Sequence, residues 1–294
     1  AGLCVYWRVG WSKGGRWRRL SGSTKSASGA RPKRILAVVN QKGGVGKSTT
    51  AVNLAATLGE LGQRVLLVDL DPQGNATSGF GLNRNQREMC IYNALLGDTP
   101  IAQLIEPVEA ENVFVVPATI QLAGAEIELV SAFSRETKLR QILEPVAGEF
   151  DFVFVDCPPS LGLLTINALT AATGLLVPIQ CEYYALEGLS KLLDSVRLVR
   201  THLNTDLDVF GAVMTMYDSR TRLSQQVVEE VKDFFEDKVF ETLIPPSVRL
   251  SEAPGFGQPV TPHAPHGPRG GRCRAPGHGA GPRAPRVLGN APGG

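Results

Sequence analysis

The sequence contains no long apolar run. A membrane-spanning helix needs about 18 or more consecutive apolar residues, and the longest candidate, 168–179, is interrupted by Thr170, Thr173 and Pro178. The first residues also lack the basic, apolar and cleavage regions of a signal peptide. We therefore expect a cytoplasmic protein that does not bind a membrane. Its 43% hydrophobic residues are enough for a sizeable core.

Cysteine is scarce and scattered. The sequence has neither a CxxC pair nor the cysteine spacing of a metal site, and its five cysteines are Cys4, Cys90, Cys157, Cys181 and Cys273. This pattern excludes a disulfide framework and a structural zinc site. Because disulfides are rare in the cytoplasm, we interpret all five as reduced thiols.

Acidic residues are absent from both ends of the chain. Residues 1–34 contain nine Lys or Arg and residues 261–294 contain five Arg, without an Asp or Glu in either segment. Between positions 35 and 260, 16 basic residues stand against all 28 acidic ones, so this part carries a net charge of about −12. A body of that charge repels nucleic acid as a whole. Any DNA binding must therefore come from a local basic patch or from the ends.

The ends also lack the periodicity of helices and strands. Residues 1–33 are basic and rich in Gly and Ser, and 19 of the 40 residues in 255–294 are Gly or Pro. Such segments cannot offset their ordering entropy by burial. We predict that 1–33 is a basic disordered or foreign extension, that the folded domain spans 34–260, and that 261–294 is a disordered Gly/Pro/Arg-rich tail.

Between the ends, apolar runs alternate with amphipathic stretches. Seven runs are typical of buried strands, namely Ile35–Val39, Arg64–Asp69, Asn112–Val116, Asp151–Asp156, Gly174–Ile179, Asp208–Thr215 and Val239–Ile244. In one intervening stretch, Leu223, Val227, Val231 and Phe234 recur at helical spacing. Apolar strands separated by helices indicate a parallel sheet that is covered on both faces. The predicted fold is therefore α/β, with one doubly wound, mainly parallel sheet.

A glycine-rich segment directly follows the first predicted strand. It continues into a predicted helix and consists of Gln41, Lys42, Gly43, Gly44, Val45, Gly46, Lys47, Ser48, Thr49 and Thr50. The glycines let backbone N–H groups turn onto phosphate oxygens, and the N-terminus of the helix adds partial positive charge. We expect the helix to turn five apolar residues inward, namely Val52, Leu54, Ala55, Leu58 and Leu61.

This order of strand, glycines and helix predicts a phosphate-binding loop, or P-loop, for a nucleotide. We expect Lys47 to reach the β- and γ-phosphates and the Ser48 hydroxyl to ligate Mg²⁺. The other residues of the loop that we assign to nucleotide binding are Gly43, Gly44, Val45, Gly46 and Thr49.

Acidic residues end two of the predicted strands. Asp69 and Asp71 follow one apolar run, and Asp156 ends another. Carboxylates past the carboxyl ends of parallel strands lie at the phosphate edge of the sheet. We expect Asp156 to hold Mg²⁺ through water. Asp71 is expected to orient the attacking water and to contribute to the Mg²⁺ site, and Asp69 is expected to support Mg²⁺ or the loop. The alternative is that one of these two acids only caps a turn.

The phosphate loop departs from the standard G-x-x-x-x-G-K-[ST] pattern. Asn40 or Gln41 stands at the position of the first glycine, and Lys42 is an additional lysine five residues before Lys47. In this form the loop resembles the deviant Walker A superfamily, which includes ParA, MinD and the nitrogenase iron protein. The resemblance implies an ATP-dependent homodimer in which Lys42 contacts the partner's ATP, with catalytic roles for Lys42, Lys47 and Asp71.

Four longer stretches resemble the ParA/Soj branch, and they lie at 69–77, 181–189, 215–221 and 248–254. The resemblance covers 34–260 and implies a slow ATPase that segregates chromosomes or plasmids on the nucleoid. A ParB-type centromere-binding protein is the implied partner, which stimulates hydrolysis. The resemblance further implies that Arg220 and Arg249 bind double-stranded DNA without sequence preference. It also implies that Met216 and Pro245 lie near the adenine.

Two other branches fit less well. A nitrogenase-type protein needs paired cysteines for an iron–sulfur cluster, and the cysteine spacing does not provide them. A MinD-like membrane-associated positioning ATPase ends in an amphipathic helix, and the Gly/Pro tail has no apolar face. MinD remains the alternative because the family match ends near Val260, so the tail is itself unusual. Either a reading-frame shift within 261–265 or a native basic tail that adds DNA affinity explains the change.

Overall fold

The computed structural model describes residues 34–183, 185–247 and 258–259. The predicted extension, the predicted tail and Arg249 therefore lie outside the described residues. Within them the strands are β1 (Ile35–Val38), β2 (Val65–Asp69), β3 (Glu106–Pro107), β4 (Val113–Val116), β5 (Phe152–Asp156), β6 (Gly174–Gln180), β7 (Val209–Thr215) and β8 (Val239–Leu243).

The described α-helices follow the strands in alternation. They are α1 (Lys47–Glu60), α2 (Asn75–Gly79), α3 (Ile91–Leu95), α4 (Leu122–Leu129), α5 (Lys138–Leu143), α6 (Leu163–Ala171), α7 (Ala185–His202) and α8 (Arg222–Phe235). Short 3₁₀ helices lie at Arg84–Gln86, Ile101–Leu104, Ala147–Glu149 and Glu236–Lys238. None of the described helices combines the length and the apolar character that a membrane crossing needs.

The eight strands form one sheet in the order β3-β4-β2-β5-β1-β6-β7-β8. All pairings along it are parallel except that of β3 with β4. From β1 the chain runs to β2 on one side, whereas the neighbouring β6 leads to β7 on the other. Ligand crevices form at the carboxyl edge where such connections diverge, so the sheet places a crevice next to the end of β1.

Apolar side chains cover both faces of the sheet. On one face α1 packs on the inner strands through Ala51, Leu54 and Leu58, against residues such as Leu67 and Phe154. On the other face α3 to α8 build the larger core. The predicted doubly wound α/β architecture is confirmed.

The strand predictions agree with the structure to within about a residue at each end, but β3 was missed. It is a two-residue edge strand, Glu106–Pro107, and an alternating pattern cannot show in so short a segment. A strand of this length limits the edge that is open to other chains.

Two helix faces differ from the prediction. Leu61 lies past the end of α1, so its side chain does not face the core and is 47% exposed. In α8 the buried residues are Ser224, Val227, Val228, Val231 and Phe235. Leu223 and Phe234, which we expected to face the core, are exposed, Phe234 by 55%.

Candidate nucleotide-binding site

The loop between β1 and α1 has the conformation of a phosphate cradle. Gly44 has φ 78° and Gly46 has φ 91°, which is the left-handed region that favours glycine. A Cβ atom placed on Gly43 or Gly44 would meet nothing within 4 Å. The turn therefore needs glycine at positions 44 and 46, and the backbone at Gly43 and Gly44 faces open space, where a phosphate fits.

Two side chains from outside the glycine run anchor the loop. Asn40 donates from Nδ2 to the backbone oxygen of Pro178 at 2.7 Å and accepts from the Lys42 N–H at 2.9 Å. Thr215, the last residue of β7, donates to the backbone oxygen of Val45 at 2.9 Å. Val45 itself is buried. From the sequence, Asn40 was predicted only as a departure from the glycine pattern, and Thr215 had no predicted role because its partner lies 170 residues away.

Lys47 is the first residue of α1 and is almost fully buried. Its ammonium donates to the backbone oxygen of Lys42 at 3.2 Å. Burial lowers the pKa of Lys47, and the charges of Asp156 and Asp71 oppose that change. A buried cation beside open backbone N–H groups is suited to the charge of a triphosphate.

Asp156 is a fully buried carboxylate at the end of β5. Neither of its carboxylate oxygens accepts a hydrogen bond of acceptable geometry from the described residues. Burial raises its pKa well above that of an ordinary carboxyl group and the charge of Asp69 adds to this, whereas Ser48 and Lys47 act against it. Because an unpaired buried carboxylate is costly, Asp156 is placed to receive a cation.

Asp69 supports the loop rather than facing the cleft. Its Oδ2 accepts from the Thr77 N–H at 2.7 Å and from the Thr77 hydroxyl at 2.6 Å, while Oδ1 accepts from the Asp71 N–H at 3.1 Å. The Thr77 hydroxyl in turn accepts from the Ala118 N–H at 3.0 Å. Burial raises the pKa of Asp69 to about 6 despite these bonds. Of the roles left open for Asp69, the geometry favours fixing the turn into α2.

Asp71 lies one turn beyond β2 and lines the cleft. Its Oδ1 accepts from the Gln73 N–H at 2.9 Å and its backbone oxygen accepts from the Gly74 N–H at 2.8 Å. This turn holds the carboxylate in the lining of the cleft, together with Gly44 and Lys47 of the P-loop. Such a carboxylate can orient a water molecule.

These residues enclose a cleft of about 360 Å³ at the carboxyl edge of the sheet. Its lining is polar or small almost throughout and comprises Gly43, Gly44, Gly46, Lys47, Ser48, Thr49, Val52, Asn53, Asp71, Gln73, Asn75, Pro159 and Gln258. Asp156 is not a lining residue, but it interacts with the lining residues Ser48 and Lys47, and its carboxylate oxygens fit Mg²⁺, which prefers oxygen ligands. The donor set at Lys47 and the glycines fits phosphates, so the chemistry of the residues suits Mg²⁺ with a nucleotide.

The two predicted adenine neighbours lie close to each other but outside the lining of this cleft. Met216 follows β7 with φ 53°, and Pro245 follows β8. The two strand ends are joined by the Tyr217 N–H, which donates to the Ile244 backbone oxygen at 2.9 Å. Their role toward adenine stays a prediction.

Two predicted cations are held by acids of their own subunit. Lys42 forms an ion pair with Glu182, which the sequence analysis did not single out although it lies within the stretch 181–189. Arg220 lies in the loop before α8 and donates through Nε and Nη2 to Asp218, at 2.9 and 2.7 Å. Arg249 lies outside the described residues.

Comparisons with known proteins identify the family. A family model described as an AAA domain matches residues 33–209. The chain is 59% identical over 227 residues to the sporulation initiation inhibitor protein Soj of Bacillus subtilis, which covers 77% of this chain and 90% of that protein. It is 55% identical to the chromosome partitioning protein ParA of Myxococcus xanthus, over 77% of this chain and 80% of that one. This chain belongs to the ParA/Soj family of chromosome-partitioning ATPases.

A solved structure shares both fold and sequence with this ParA/Soj chain. It is described as cobyrinic acid a,c-diamide synthase from Mycobacterium smegmatis with bound ADP and magnesium. The TM-score is 0.70 at 42% identity, over 77% of this chain and 93% of that one. The predicted family and P-loop fold are therefore confirmed.

Proposed function

We propose that this chain is an ATP- and Mg²⁺-dependent switch that dimerises, binds DNA without sequence preference and segregates chromosomes or plasmids. The observation that carries the proposal is a pair of buried opposite charges: the Lys47 ammonium, which lines the cleft, and the Asp156 carboxylate, whose charge acts on Lys47. A P-loop in this family, with a cation for phosphates and an acid for Mg²⁺, supports ATP binding.

Different residues of the cleft bind the phosphates and Mg²⁺. Lys47 and the N–H groups of Gly43 to Gly46 hold the phosphates, while Ser48, Asp71 and Asp156 hold Mg²⁺. Bound Mg²⁺ neutralises charge on the phosphate oxygens. Thr49 lies in the first turn of α1 and contributes to the helix N-terminus, which favours an anion.

Asp71 is the residue that we assign to hydrolysis. It is held by its own turn, so its carboxylate keeps one orientation toward the cleft. It orients the water that attacks the γ-phosphate and thereby sets the lifetime of the ATP state. A ParB-type centromere-binding partner accelerates this step.

ATP selects the DNA-binding state through self-association. In the ATP state two subunits enclose the nucleotides, and Lys42 of each reaches the nucleotide of the other. The dimer presents Arg220 and Arg249 to phosphates, because the charge of about −12 over 35–260 leaves only local basic groups for DNA. Differential affinity of ATP for the dimer shifts the population toward the nucleoid-bound form in the cytoplasm.

The proposal is tested by titrating random duplex DNA with the full chain across a salt series, with ATP and Mg²⁺, with ADP, and without nucleotide. Binding is expected only with ATP. Lys47→Ala should lose ATP and DNA binding together, whereas Asp71→Ala should bind ATP and stay on DNA. Arg220→Ala should reduce the log–log salt slope by about one to two units for a dimer.

Arg197→Ala is the matched control for the arginine variant, because Arg197 is exposed and paired with Asp194 on α7. Its salt slope should equal that of the wild type. A protein that binds ATP but shows no ATP-dependent DNA binding would contradict the proposal. Sedimentation with liposomes and ATP would then test the MinD-like alternative.

A further inference from the structure

Both the side chain and the backbone of Lys42 are bound by residues of its own subunit. Its ammonium forms an ion pair with the Glu182 carboxylate, and both side chains are about two-fifths exposed, at 40% and 38%. The Lys42 N–H donates to Asn40 at 2.9 Å, and the Lys42 backbone oxygen accepts from Lys47 at 3.2 Å. The backbone of Lys42 is therefore fixed, and its side chain alone is free to change partners.

Glu182 is fixed by the turn between β6 and α7. The Cys181 N–H donates to the Thr215 backbone oxygen at 3.0 Å, and the Glu182 N–H donates to that of Gln180 at 2.9 Å. The Glu182 backbone oxygen accepts from the Ala185 N–H at 3.0 Å. Because these bonds tie the backbone of Glu182 to the sheet and to the start of α7, Glu182 cannot follow Lys42 across a subunit boundary.

We propose that Glu182 is a positioning residue that holds Lys42 on its own subunit and so opposes ATP-dependent self-association. The inference rests on the proposed function, in which Lys42 acts on the nucleotide of the partner subunit. The backbone of Lys42 is fixed, so only its side chain can move. When the Lys42 ammonium moves outward to the partner subunit, it therefore leaves the Glu182 carboxylate. Forming a symmetric dimer therefore breaks this ion pair twice, once in each subunit.

The size of the effect follows from the exposure of the pair. A partly exposed ion pair changes an equilibrium by about one and a half- to fivefold. Two such pairs are lost in one association step, so their factors multiply. Removing the Glu182 charge should tighten the dimer by about two- to thirtyfold.

The experiment is sedimentation equilibrium of the full chain with Mg²⁺ and a non-hydrolysable ATP analogue. Glu182→Gln should lower the dimer Kd by about two- to thirtyfold. Glu182→Asp keeps the charge, so its dimer Kd should stay close to that of the wild type. Raising the salt concentration should bring the wild type and Glu182→Gln together, because it screens the pair. Analogue binding, measured separately by calorimetry, should change little.

Glu149→Gln is the control for loss of a negative charge. Glu149 lies 3.9 Å from Arg64 at the opposite edge of the sheet, so its removal should leave the Kd unchanged. In a Lys42→Ala background, Glu182→Gln should also have no effect on the Kd. A shift there would show that Glu182 acts through another group and would overturn the inference.

Two further outcomes distinguish a failure of this inference from a failure of the proposed function. A wild type that dimerises with the same Kd as Glu182→Gln, or more tightly, would overturn this inference and leave the proposed function intact. If both proteins bind the analogue and both remain monomers, the proposed dimer fails and the inference fails with it.

Discussion

At the scale of single residues, Asp156 shows how the site keeps a binding charge at the expense of stability. Its carboxylate is fully buried, and only the nearby Ser48 hydroxyl and Lys47 ammonium offset the cost of that burial. A group of this kind persists where function needs it, because it lowers the stability of the free protein.

Asp156→Asn should therefore stabilise the nucleotide-free protein while weakening the site. We expect the free energy of unfolding in urea at pH 7 to rise by about 0.5–2 kcal/mol. Nucleotide affinity should fall in Mg²⁺ and change little in EDTA. An asparagine variant that is less stable and keeps its Mg²⁺ dependence would contradict this account of Asp156.

In the proposed function, Asp218 competes with DNA for Arg220. The guanidinium of Arg220 is exposed and donates to both carboxylate oxygens of Asp218, and these bonds hold the pKa of Asp218 at about 2. The carboxylate is thus ionised at any working pH. Asp218→Asn should strengthen DNA binding in the ATP state by about one and a half- to fivefold per subunit.

Fluorescence anisotropy with random duplex DNA measures this change. Asp194→Asn is the control, because Asp194 is exposed and paired with Arg197 on α7. It should leave DNA affinity nearly unchanged. Weaker DNA binding by Asp218→Asn would mean that Asp218 orients Arg220 for DNA instead of competing with it.

At the scale of elements, α1 needs a glycine where it passes the turn before β4. A Cβ atom on Gly59 would lie 2.1 Å from the Glu111 backbone oxygen and 2.8 Å from Val113 Cγ2. The Asn112 side chain also donates to the Gly59 backbone oxygen at 3.1 Å. The contact is thus between two backbones, which cannot give way as a flexible side chain does.

Gly59→Ala should lower the free energy of unfolding by about 1–3 kcal/mol, because overpacking outweighs the better helix propensity of alanine. Gly124→Ala is the matched change in α4, where the nearest atom is a flexible glutamate oxygen at 3.4 Å. It should be neutral or stabilise by up to about 1 kcal/mol. Urea denaturation measures both, and equal effects would contradict the packing argument.

Helix α4 presents apolar side chains to solvent at the carboxyl edge of the sheet. Ile127 is 78% exposed and Phe133, just beyond the helix, is 91% exposed. A Cβ atom on Gly162 would lie 2.0 Å from Glu126 Oε1, so α4 lies against the loop that follows Asp156. Exposed apolar groups beside a functional edge are typical of a contact surface.

If α4 lies in the proposed dimer interface, Ile127→Ser should weaken ATP-dependent self-association about tenfold or more, because a symmetric dimer would then bury the side chain twice. Nucleotide binding should be unaffected. Leu198→Ser on α7 is the control, since Leu198 is also exposed but lies far along that helix from the cleft. Sedimentation equilibrium with the ATP analogue measures the dimer Kd of both variants. An unchanged Kd for Ile127→Ser would show that α4 is not part of the interface.

At the scale of the whole molecule, Asp208 joins elements at the edge opposite the cleft. Lys238 donates to its Oδ2 at 2.8 Å, and Arg200 lies 3.7 Å from its Oδ1. Burial acts to raise the pKa of Asp208, but the Lys238 hydrogen bond and the two cations outweigh it, so the pKa lies below its ordinary value of 3.8.

A carboxylate whose folded pKa is lowered stabilises the fold above its unfolded pKa and loses that effect as the pH falls through the folded value. Asp208→Asn should therefore lower the free energy of unfolding by about 0.2–1 kcal/mol at pH 7, since the pair is largely exposed. The difference should shrink below pH 4. Urea titrations from pH 7 to pH 3 measure it, with the exposed Asp206→Asn as control, and a difference that persists at pH 3 would contradict the ion-pair origin.

The molecule as a whole shows which features a sequence can specify. The strand β1, the P-loop and Asp156 were predicted because each depends on neighbours in the sequence: a run of apolar residues, a run of glycines, and an acid at a strand end. Their placement at one edge followed from the rule that parallel strands end on the same side.

The buried face of α8 is a feature that the sequence does not specify. Val227 and Val228 are adjacent, as are Phe234 and Phe235, so the sequence permits two helical faces about 100° apart. The expected face included Leu223 and Phe234, whereas packing against the sheet buries Ser224 and Phe235. Periodicity alone does not distinguish the two, because both have apolar residues at helical spacing.

The sequence by itself determined the fold class, the family, the phosphate loop and the acidic residues around it, since local periodicity and short motifs encode these. Only the tertiary structure decided the strand order, the support of Asp69 by Thr77, the anchoring of the P-loop by Thr215, and the ion pair between Lys42 and Glu182. The physical reason is separation along the chain. Lys42 and Glu182 are 140 residues apart, and only the completed sheet, with β6 beside β1, brings the two charges together.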